Sequence, residues 1–439
     1  MGKSTTFIGQ PVLNQIMNLM NRDKINIMAA KDGVNRYTKQ LDAYTHLVIM
    51  LYAVLTGAES IREVVLGFEV NAHRLAHLGL TYTVRRSTLS DANKRRPESF
   101  FGHIYKSLYA QYSSLLSDSL TKREVLERLY IMDSTTISLF SQILKGVGRN
   151  PKNGKKKGGA KVHTVIKFDS DLPDFIDMTA AAVHDRQKMD CLLKLPAGSY
   201  VAFDKGYTDY YEWQLLTEAN IKYVTRMKDN AKFTIKEWHS VRDLPGIDCD
   251  QIIELSYTKK TVRELSDEEL KHRRGRKPKD GKVMVTEYKT GVHKCRRIMK
   301  KSEKTGEYIT FITNDFDLPA DQICEIYRRR WTIETLYKRL KQNFPLKYFL
   351  GNNENEIKIQ IWVTMIAYLL MRVLQKKSQS KLAFSNIVTV VRITICSYMN
   401  IISLLANPRV EWLALQKEIR EHMEKEKQKS LQLSLFPGW

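Results

Sequence analysis

Hydrophobic and polar positions divide the chain into three regions with different periodicity. Residues 1–120 repeat their apolar side chains at helical spacing and predict an all-helical N-terminal domain. From residue 124 short apolar runs alternate with helical segments, which predicts an α/β domain over 124–345. Its β-like runs at about 229–312 predict an inserted β-rich module, and 346–439 predict C-terminal helices with an exposed tail.

Two of the predicted strands lead directly into an aspartate. The run from Leu129 to Met132 precedes Asp133, and the run from Tyr200 to Phe203 precedes Asp204. Strands of an open α/β sheet place their ligands at the carboxyl edge, so both carboxylates are predicted to lie there. The alternative is that each aspartate forms a turn at the end of a strand.

A third acid stands in the stretch YRRRWTIETLYKRLK at 327–341. As one continuous helix, this stretch brings Tyr327, Arg330, Glu334 and Lys341 within about 60° of one another. A second face carries an apolar stripe that is predicted to bury against a core: Ile326, Ile333, Leu336, Leu340 and Phe344. The alternative is a solvated basic helix with an incidental Arg/Glu pair.

Asp133, Asp204 and Glu334 are predicted to bind metal together. Three carboxylates without histidine or thiolate favour Mg²⁺ or Mn²⁺, and two such ions can activate a nucleophile and stabilise a leaving oxygen of a phosphodiester. Without metal the three charges would repel and raise one another's pKa.

The charge balance favours a polyanionic partner. Lys and Arg number 71 and Asp and Glu 48, so the net charge is 71 − 48 = +23. Nucleic acid, here double-stranded DNA, is the expected partner, with a membrane surface as the second choice. The apolar windows contain Arg372 and Arg392, so they predict buried core helices and no membrane span. Scattered cysteines without a C-x-x-C pair indicate reduced thiols in a cytosol.

Two basic segments are candidate DNA contacts. A short helix in VRRSTLSDANKRRP, with Ser87 or Thr88 as its N-cap and Pro97 at its end, is predicted to lie on DNA. Its candidate contacts are Arg85, Arg86, Lys94 and Arg95. The alternative is a basic surface turn. In RRGRKP, Arg273, Arg274 and Arg276 are similar to an AT-hook core that fits a narrow minor groove, or they form a solvated basic loop.

The acids and their neighbours resemble the bacterial insertion-sequence transposases of the IS4 family. The family signature of Tyr, two residues, Arg, three, Glu, six and Lys is matched by Tyr327, Arg330, Glu334 and Lys341. IMDST and FDKGY are similar to the family's first and second Asp motifs, and AKVH to the strand after the first. The resemblance implies an RNase H-like core with a DDE triad of Asp133, Asp204 and Glu334. It also implies that the helical domain at 1–120 binds DNA and that the protein acts in a bacterial cytoplasm, associated with the nucleoid.

The resemblance also implies roles for neighbouring residues. Tyr327, Arg330 and Lys341 are expected to hold phosphates of the transposon end. Relatives cut and paste through a hairpin with a flipped base stacked on an aromatic ring. Trp331 or Trp238 would supply that ring, although a buried core tryptophan is the expectation for either.

Partners beyond DNA follow from the reaction and from the tail. Two ends must be cut together, so a homodimer in a synaptic complex is expected. QLSLF, with Gln432, Leu433, Leu435 and Phe436, resembles the peptide that docks on the bacterial replicative sliding clamp. The alternative is an apolar strip that folds back on its own core.

The leading hypothesis is a DNA transposase that binds terminal inverted repeats, cleaves the element ends and transfers the 3′-OH to target DNA. A metal-dependent nuclease with the same core and a catalytically inactive DNA-binding regulator are the alternatives. The intact acids disfavour the regulator, because binding alone does not need them.

Overall fold

A computed structural model of the 439-residue chain describes most of its residues. The description leaves out 1–8, 37, 81–82, 118–123, 139–158, 171, 181–184, 243, 265–283, 303–304 and 436–439. The chain divides into two compact units, one formed by 1–116 with 338–439 and the other by 117–337. The helices that precede and follow the α/β region therefore belong to one unit.

The α/β unit is built on one mixed sheet. Its strands are β1 Leu129–Ser138, β2 Gly159–Lys167, β3 Leu172–Ala180, β4 Tyr200–Phe203, β5 Lys222–Arg226, β6 Thr234–Trp238, β7 Ile247–Glu264, β8 Met284–Lys301 and β9 Tyr308–Thr313. Their order is β3-β2-β1-β4-β5-β9-β8-β7-β6. β4 pairs in parallel with β1 and with β5, and every other pairing is antiparallel.

The strands of the predicted insertion extend this same sheet. β9 pairs with β5 through Val224 and Thr313, and β8, β7 and β6 continue outward from it. β7 and β8 form a long hairpin whose inner end is held by a buried ion pair between Asp250 and Arg296, at 2.8 and 2.6 Å. Breaking such a buried pair by removing one partner costs about 3–5 kcal/mol, so it anchors the hairpin to the sheet.

The first predicted strand is longer than expected. The prediction that it ends at Asp133 is wrong, because β1 continues to Ser138. The parallel pairing with β4 stops at Met132 and Phe203, but β2 continues to pair beyond that level, with Thr164 opposite Asp133. The prediction for the second strand is confirmed, since β4 ends at Phe203, directly before Asp204.

Helices cover the sheet and form the other unit. They are α1 Val12–Met17, α2 Arg22–Lys31, α3 Ala43–Thr56, α4 Ile61–Val70, α5 Ala72–Leu75, α6 Arg86–Arg95, α7 Glu98–Leu116, α8 Glu124–Glu127, α9 Tyr210–Glu218, α10 Ala320–Arg328, α11 Trp331–Asn343, α12 Glu354–Lys377, α13 Phe384–Thr394, α14 Ile401–Ala406 and α15 Val410–Leu435. In the sheet unit, the core packs around Phe203, Trp213 and Tyr223.

The helical unit is organised around α12. Asn353 caps this helix in a capping box with Glu356, and the helix packs against α3 and α7. Among the described residues it is the one helix that is long and apolar enough to cross a membrane, but 89% of its apolar window is buried inside the protein. Its burial confirms the prediction of a core helix.

The short basic helix α6 differs from its prediction at one end. Arg85, which makes no side-chain capping bond, occupies the N-cap position predicted for Ser87 or Thr88. The helix ends at Arg95, before Pro97, as predicted.

Candidate active site

The register of the sheet brings the two aspartates together. Met132 of β1 pairs with Phe203 of β4 in parallel, and Asp133 and Asp204 are the residues that follow them. Paired strands lie about 4.8 Å apart, and residues in register project from the same face. The two carboxylates therefore start from neighbouring points on one edge of the parallel pair.

The third acid comes to this edge on α11. The stretch from Tyr327 to Lys341 was predicted as one helix, but it is two, α10 and α11, joined by a turn at Arg329 and Arg330. In this turn the amides bond three residues back, for example from Arg330 N to Tyr327 O at 3.0 Å. Glu334 lies one turn into α11, and the predicted apolar stripe is buried throughout.

Arg330 connects two of the acids directly. Its Nη1 donates to Asp133 Oδ2 at 3.1 Å and its Nη2 to Glu334 Oε1 at 2.7 Å. The guanidinium is 9% exposed, so this charge is held inside the site. A planar guanidinium that bridges two carboxylates neutralises part of their repulsion and fixes their separation.

Asp133 is the acid whose ionisation is most perturbed. Its pKa is raised from 3.8 to about 6, chiefly by burial and also by the charges of Asp204 and Glu334, whereas the Ser134 amide and Arg330 oppose the shift. The Ser134 N–H bonds to Asp133 Oδ1 at 2.8 Å. The other two acids therefore act on Asp133, but burial is the larger cause of its raised pKa.

The donor set fits a hard divalent cation in its chemistry. The charges of Asp204 and Glu334 contribute to the raised pKa of Asp133, and a cation bound among these carboxylates would favour its ionised form. As the side chains stand, no three His, Cys, Asp or Glu residues in the described ranges are close enough to hold one ion. In this arrangement Arg330 forms ion pairs with both Asp133 and Glu334. Metal binding by these acids stays a prediction.

Tyr337 is a residue of the site that the sequence analysis missed. Its hydroxyl donates to the backbone carbonyl of Asp133 at 2.9 Å, and its ring is 6% exposed. It lies on α11 within the buried face that carries Ile333 and Leu336. A tyrosine in an otherwise aliphatic stripe was the available signal, because a buried phenol needs a hydrogen-bond partner.

The predicted phosphate contacts have different surroundings. Tyr327 is buried, its ring centroid lies 5.3 Å from that of Phe311, and burial raises its pKa to about 12. Lys341 is exposed near the end of α11. The guanidinium carbon of Arg330 lies 5.7 Å from the centre of the Tyr327 ring.

The aromatic candidates are exposed, so the expectation of buried core tryptophans is wrong. Trp331 is 63% exposed and Trp238 is 68% exposed. Trp331 opens α11 next to Arg330, on the side away from the buried stripe. Trp238 lies on β6, the edge strand of the sheet, whose residues are all exposed.

The remaining candidates lie outside this site or outside the described residues. Arg85, Arg86, Lys94 and Arg95 are exposed on and beside α6. Arg273, Arg274 and Arg276 fall in 265–283, outside the described residues, and so does Phe436. Gln432, Leu433 and Leu435 have helical backbone at the end of α15.

Comparisons with known proteins agree on one family. The family profile described as "Transposase DDE domain" matches residues 125–370, and that of a domain of unknown function, DUF4372, matches 8–81. A putative transposase, y4zB, of Sinorhizobium fredii is 34% identical over 285 residues, which are 65% of this chain and 70% of that protein. A putative transposase for insertion sequence element IS4SA of Synechocystis is 24% identical, covering 66% of this chain and 72% of that one.

One solved structure, a piggyBac transposase synaptic complex with hairpin DNA, aligns with a TM-score of 0.42 at 10% identity. The alignment covers 94% of this chain and 84% of that one. A similarity this low carries no argument about the site.

Replacing Tyr337 by Phe should impair DNA cleavage out of proportion to stability. The lost bond to the Asp133 carbonyl is worth about 1 kcal/mol of folding free energy. The same bond connects the strand that carries Asp133 to the helix that carries Glu334. Its loss would let these catalytic groups shift, and a small misplacement can cost on the order of 10²-fold in rate. Single-turnover cleavage with Mg²⁺ and thermal unfolding measure the two effects.

Tyr112→Phe is the matched control, because Tyr112 also donates its hydroxyl to a backbone carbonyl, that of Leu19, at 2.7 Å. Equal loss of stability in both variants with a cleavage defect in Tyr337→Phe alone supports the positioning role. Cleavage at the wild-type rate in Tyr337→Phe contradicts it.

Divalent-ion binding should weaken as pH falls through about 6. The folded-state pKa of Asp133 is about 6, above its ordinary 3.8. This group therefore favours the folded apoprotein at low pH, and its contribution is lost as pH rises through about 6. An ion must displace the proton below that pH, which lowers its affinity about tenfold per pH unit.

The rise in melting temperature caused by Mn²⁺, measured without DNA from pH 5 to pH 8, reads out this linkage. The wild type should show a large rise at pH 8 and little at pH 5, and Asp133→Asn little at either. An equal rise at both pH values in the wild type contradicts the assignment of Asp133 as a ligand.

Proposed function

The chain belongs to the DDE transposase family, and from this membership we propose that it moves an insertion sequence of the IS4 type. In this proposal it binds the terminal inverted repeats of the element, cleaves the phosphodiester bonds at both ends and transfers the 3′-OH to target DNA. The observation that carries it is that Asp133 and Asp204 follow paired residues at one edge of the sheet, while Arg330 bonds to both Asp133 and Glu334. The strand order β3-β2-β1-β4-β5 supports an RNase H-like core.

Each acid has a defined part in this reaction. Asp133, Asp204 and Glu334 would hold two Mg²⁺ or Mn²⁺ ions through their carboxylate oxygens. Bound ions of this kind supply an activated water or 3′-hydroxyl and stabilise the leaving oxygen. β1 and β4 fix the aspartates to the sheet, so only the α11 side of the site depends on helix packing.

The flanking residues serve the DNA backbone. Arg330 has the planar donor set that matches a phosphate and is already placed between two acids of the site. Lys341 offers an exposed charge toward the end of the same helix as Glu334. The exposure of Trp331 and Trp238 suits either ring to stack on a base flipped out during hairpin formation in a cut-and-paste reaction.

The assembly requires two ends to be held together, so we propose a homodimer in the synaptic complex. A contact with the replicative sliding clamp through QLSLF would require the helical backbone at 432–435 to unwind into an extended peptide. The net charge of +23 supports DNA as the main partner.

Glu334→Gln should abolish cleavage and leave DNA binding intact. The substitution keeps the shape of the side chain and removes its charge. Losing several kcal/mol of ion-mediated transition-state stabilisation lowers the rate by on the order of 10³-fold or more. The assay uses a duplex with the inverted repeat that flanks the gene, Mg²⁺ and a supercoiled target plasmid.

Glu325→Gln is the control, since Glu325 is also a helical glutamate paired with arginine, to Arg329 at 2.6 Å, but lies outside the three-acid site. Cleavage by Glu334→Gln at the wild-type rate overturns the assignment. If the wild type cleaves the duplex but does not join it to the plasmid, the protein is a nuclease and the transposase proposal is wrong.

A further inference from the structure

The surface around α6 has the shape of a ridge between two grooves. One groove, of 790 Å³, is lined on the helix by Arg85, Thr88 and Arg95. The other, of 680 Å³, is lined on the helix by Arg86, Ser90 and Lys94. At 100° per residue these two sets lie on opposite flanks of α6, so each groove receives its own pair of cations from the helix.

Each groove also has a basic residue on its far wall. Lys39 lines the first groove and Arg62 the second, and both are exposed. Both come from residues 8–81, the part that matches a domain of unknown function. Acids also line the grooves, Asp32 and Asp91 in the first and Glu59 and Glu356 in the second, but cations outnumber them in each.

The helix is held firmly from below. Leu89 is fully buried, and Asn93 bonds to the buried ring of His46 at 2.6 Å. The Asn355 side chain of α12 donates to the carbonyls of Asn93 and Arg96, at 2.8 and 2.7 Å, at the C-terminal end of α6. These bonds fix the position and direction of α6. Its exposed side chains can therefore contact a partner without a rearrangement of the helix.

The crest of the ridge carries small polar side chains in place of cations. Opposite the buried Leu89 and Asn93, the helical projection places Ser87 and Asp91, and both are exposed. Asp91 also contributes to the lining of the first groove and Ser87 to that of the second. An acid on the crest of a basic ridge would be repelled by phosphates and suits a hydrogen-bond donor instead. The amino group of cytosine in the major groove is such a donor.

We infer that α6 enters the major groove of duplex DNA, with one phosphate strand in each flanking groove. Arg85, Arg95 and Lys39 bind one strand, and Arg86, Lys94 and Arg62 bind the other. Ser87 and Asp91 face the base edges, and Asp91 selects a cytosine. An α-helix with its side chains is about 10–12 Å across and the major groove is about 12 Å wide, so the helix fits.

The inference rests on the proposed function and assigns a DNA-binding role to α6 and to Lys39 and Arg62, which lie in the part that matches the domain of unknown function. It separates two kinds of contact. Flank cations set affinity and its salt dependence without regard to sequence, whereas crest residues set sequence preference.

Binding of the full-length protein to a random-sequence duplex library, without divalent ions, tests the inference. Lys94→Gln and Arg95→Gln should each lower affinity for all sequences and reduce the slope of log affinity against log salt by about 1. Asp91→Asn should keep the salt slope and change the base selected at one position, with about 10-fold less preference for cytosine.

Lys425→Gln and Arg420→Gln are matched controls, because both residues are exposed on another helix of the same unit, α15. The inference is wrong if Lys94→Gln and Arg95→Gln keep the affinity and the salt slope of the wild type. It is also wrong if Asp91→Asn keeps the base preference of the wild type. Thermal unfolding of each variant verifies that it is folded.

The binding assay can show that the α6 inference is wrong without bearing on the proposed transposase function. The binding assay contains no divalent ion and needs no cleavage, so it does not depend on the three acids. If the α6 variants bind as the wild type and Glu334→Gln still loses cleavage, this surface is wrong and the proposed function stands.

Discussion

The burial of Asp133 beside two other carboxylates is the constraint on which the site depends. Asp133 and Asp204 are placed by the backbone of the sheet, and Glu334 is brought to them by a helix. Arg330 supplies one positive charge between Asp133 and Glu334. Even beside that charge the pKa of Asp133 is raised to about 6, chiefly because the carboxyl is buried and in part because of the charges of Asp204 and Glu334. A divalent cation bound there would favour the ionised form of Asp133.

The sheet provides the rigidity that such a site needs. The parallel pairing of β1 with β4 fixes both aspartates, and Tyr337 connects the same strand to α11. The long β7–β8 hairpin joins this sheet through β9, and the buried Asp250–Arg296 pair anchors it. The elements that insert between the second aspartate and the glutamate are therefore a continuation of the frame that carries the acids.

Local patterns in the sequence predicted much of this arrangement. The acids were found because apolar runs precede Asp133 and Asp204, and because Glu334 lies in a helical stretch with a buried stripe. The break at Arg329 and Arg330 was missed, since a single tight turn barely disturbs helical periodicity. The joining of β5 to β9 was missed as well, because pairing between distant strands leaves no local trace. The burial of Trp331 and Trp238 was predicted wrongly from their residue type, whereas function can expose large aromatic side chains.

Anomalous diffraction from crystals grown with Mn²⁺ tests most directly whether the three acids form one metal site. We expect a manganese peak surrounded by carboxylate oxygens of Asp133, Asp204 and Glu334. The metal–oxygen distances should be about 2.1 Å, as is usual for hard divalent ions of this size. We also expect that the Arg330 guanidinium no longer lies between Asp133 and Glu334. Manganese bound elsewhere, with Arg330 still bridging the two acids, would contradict this expectation.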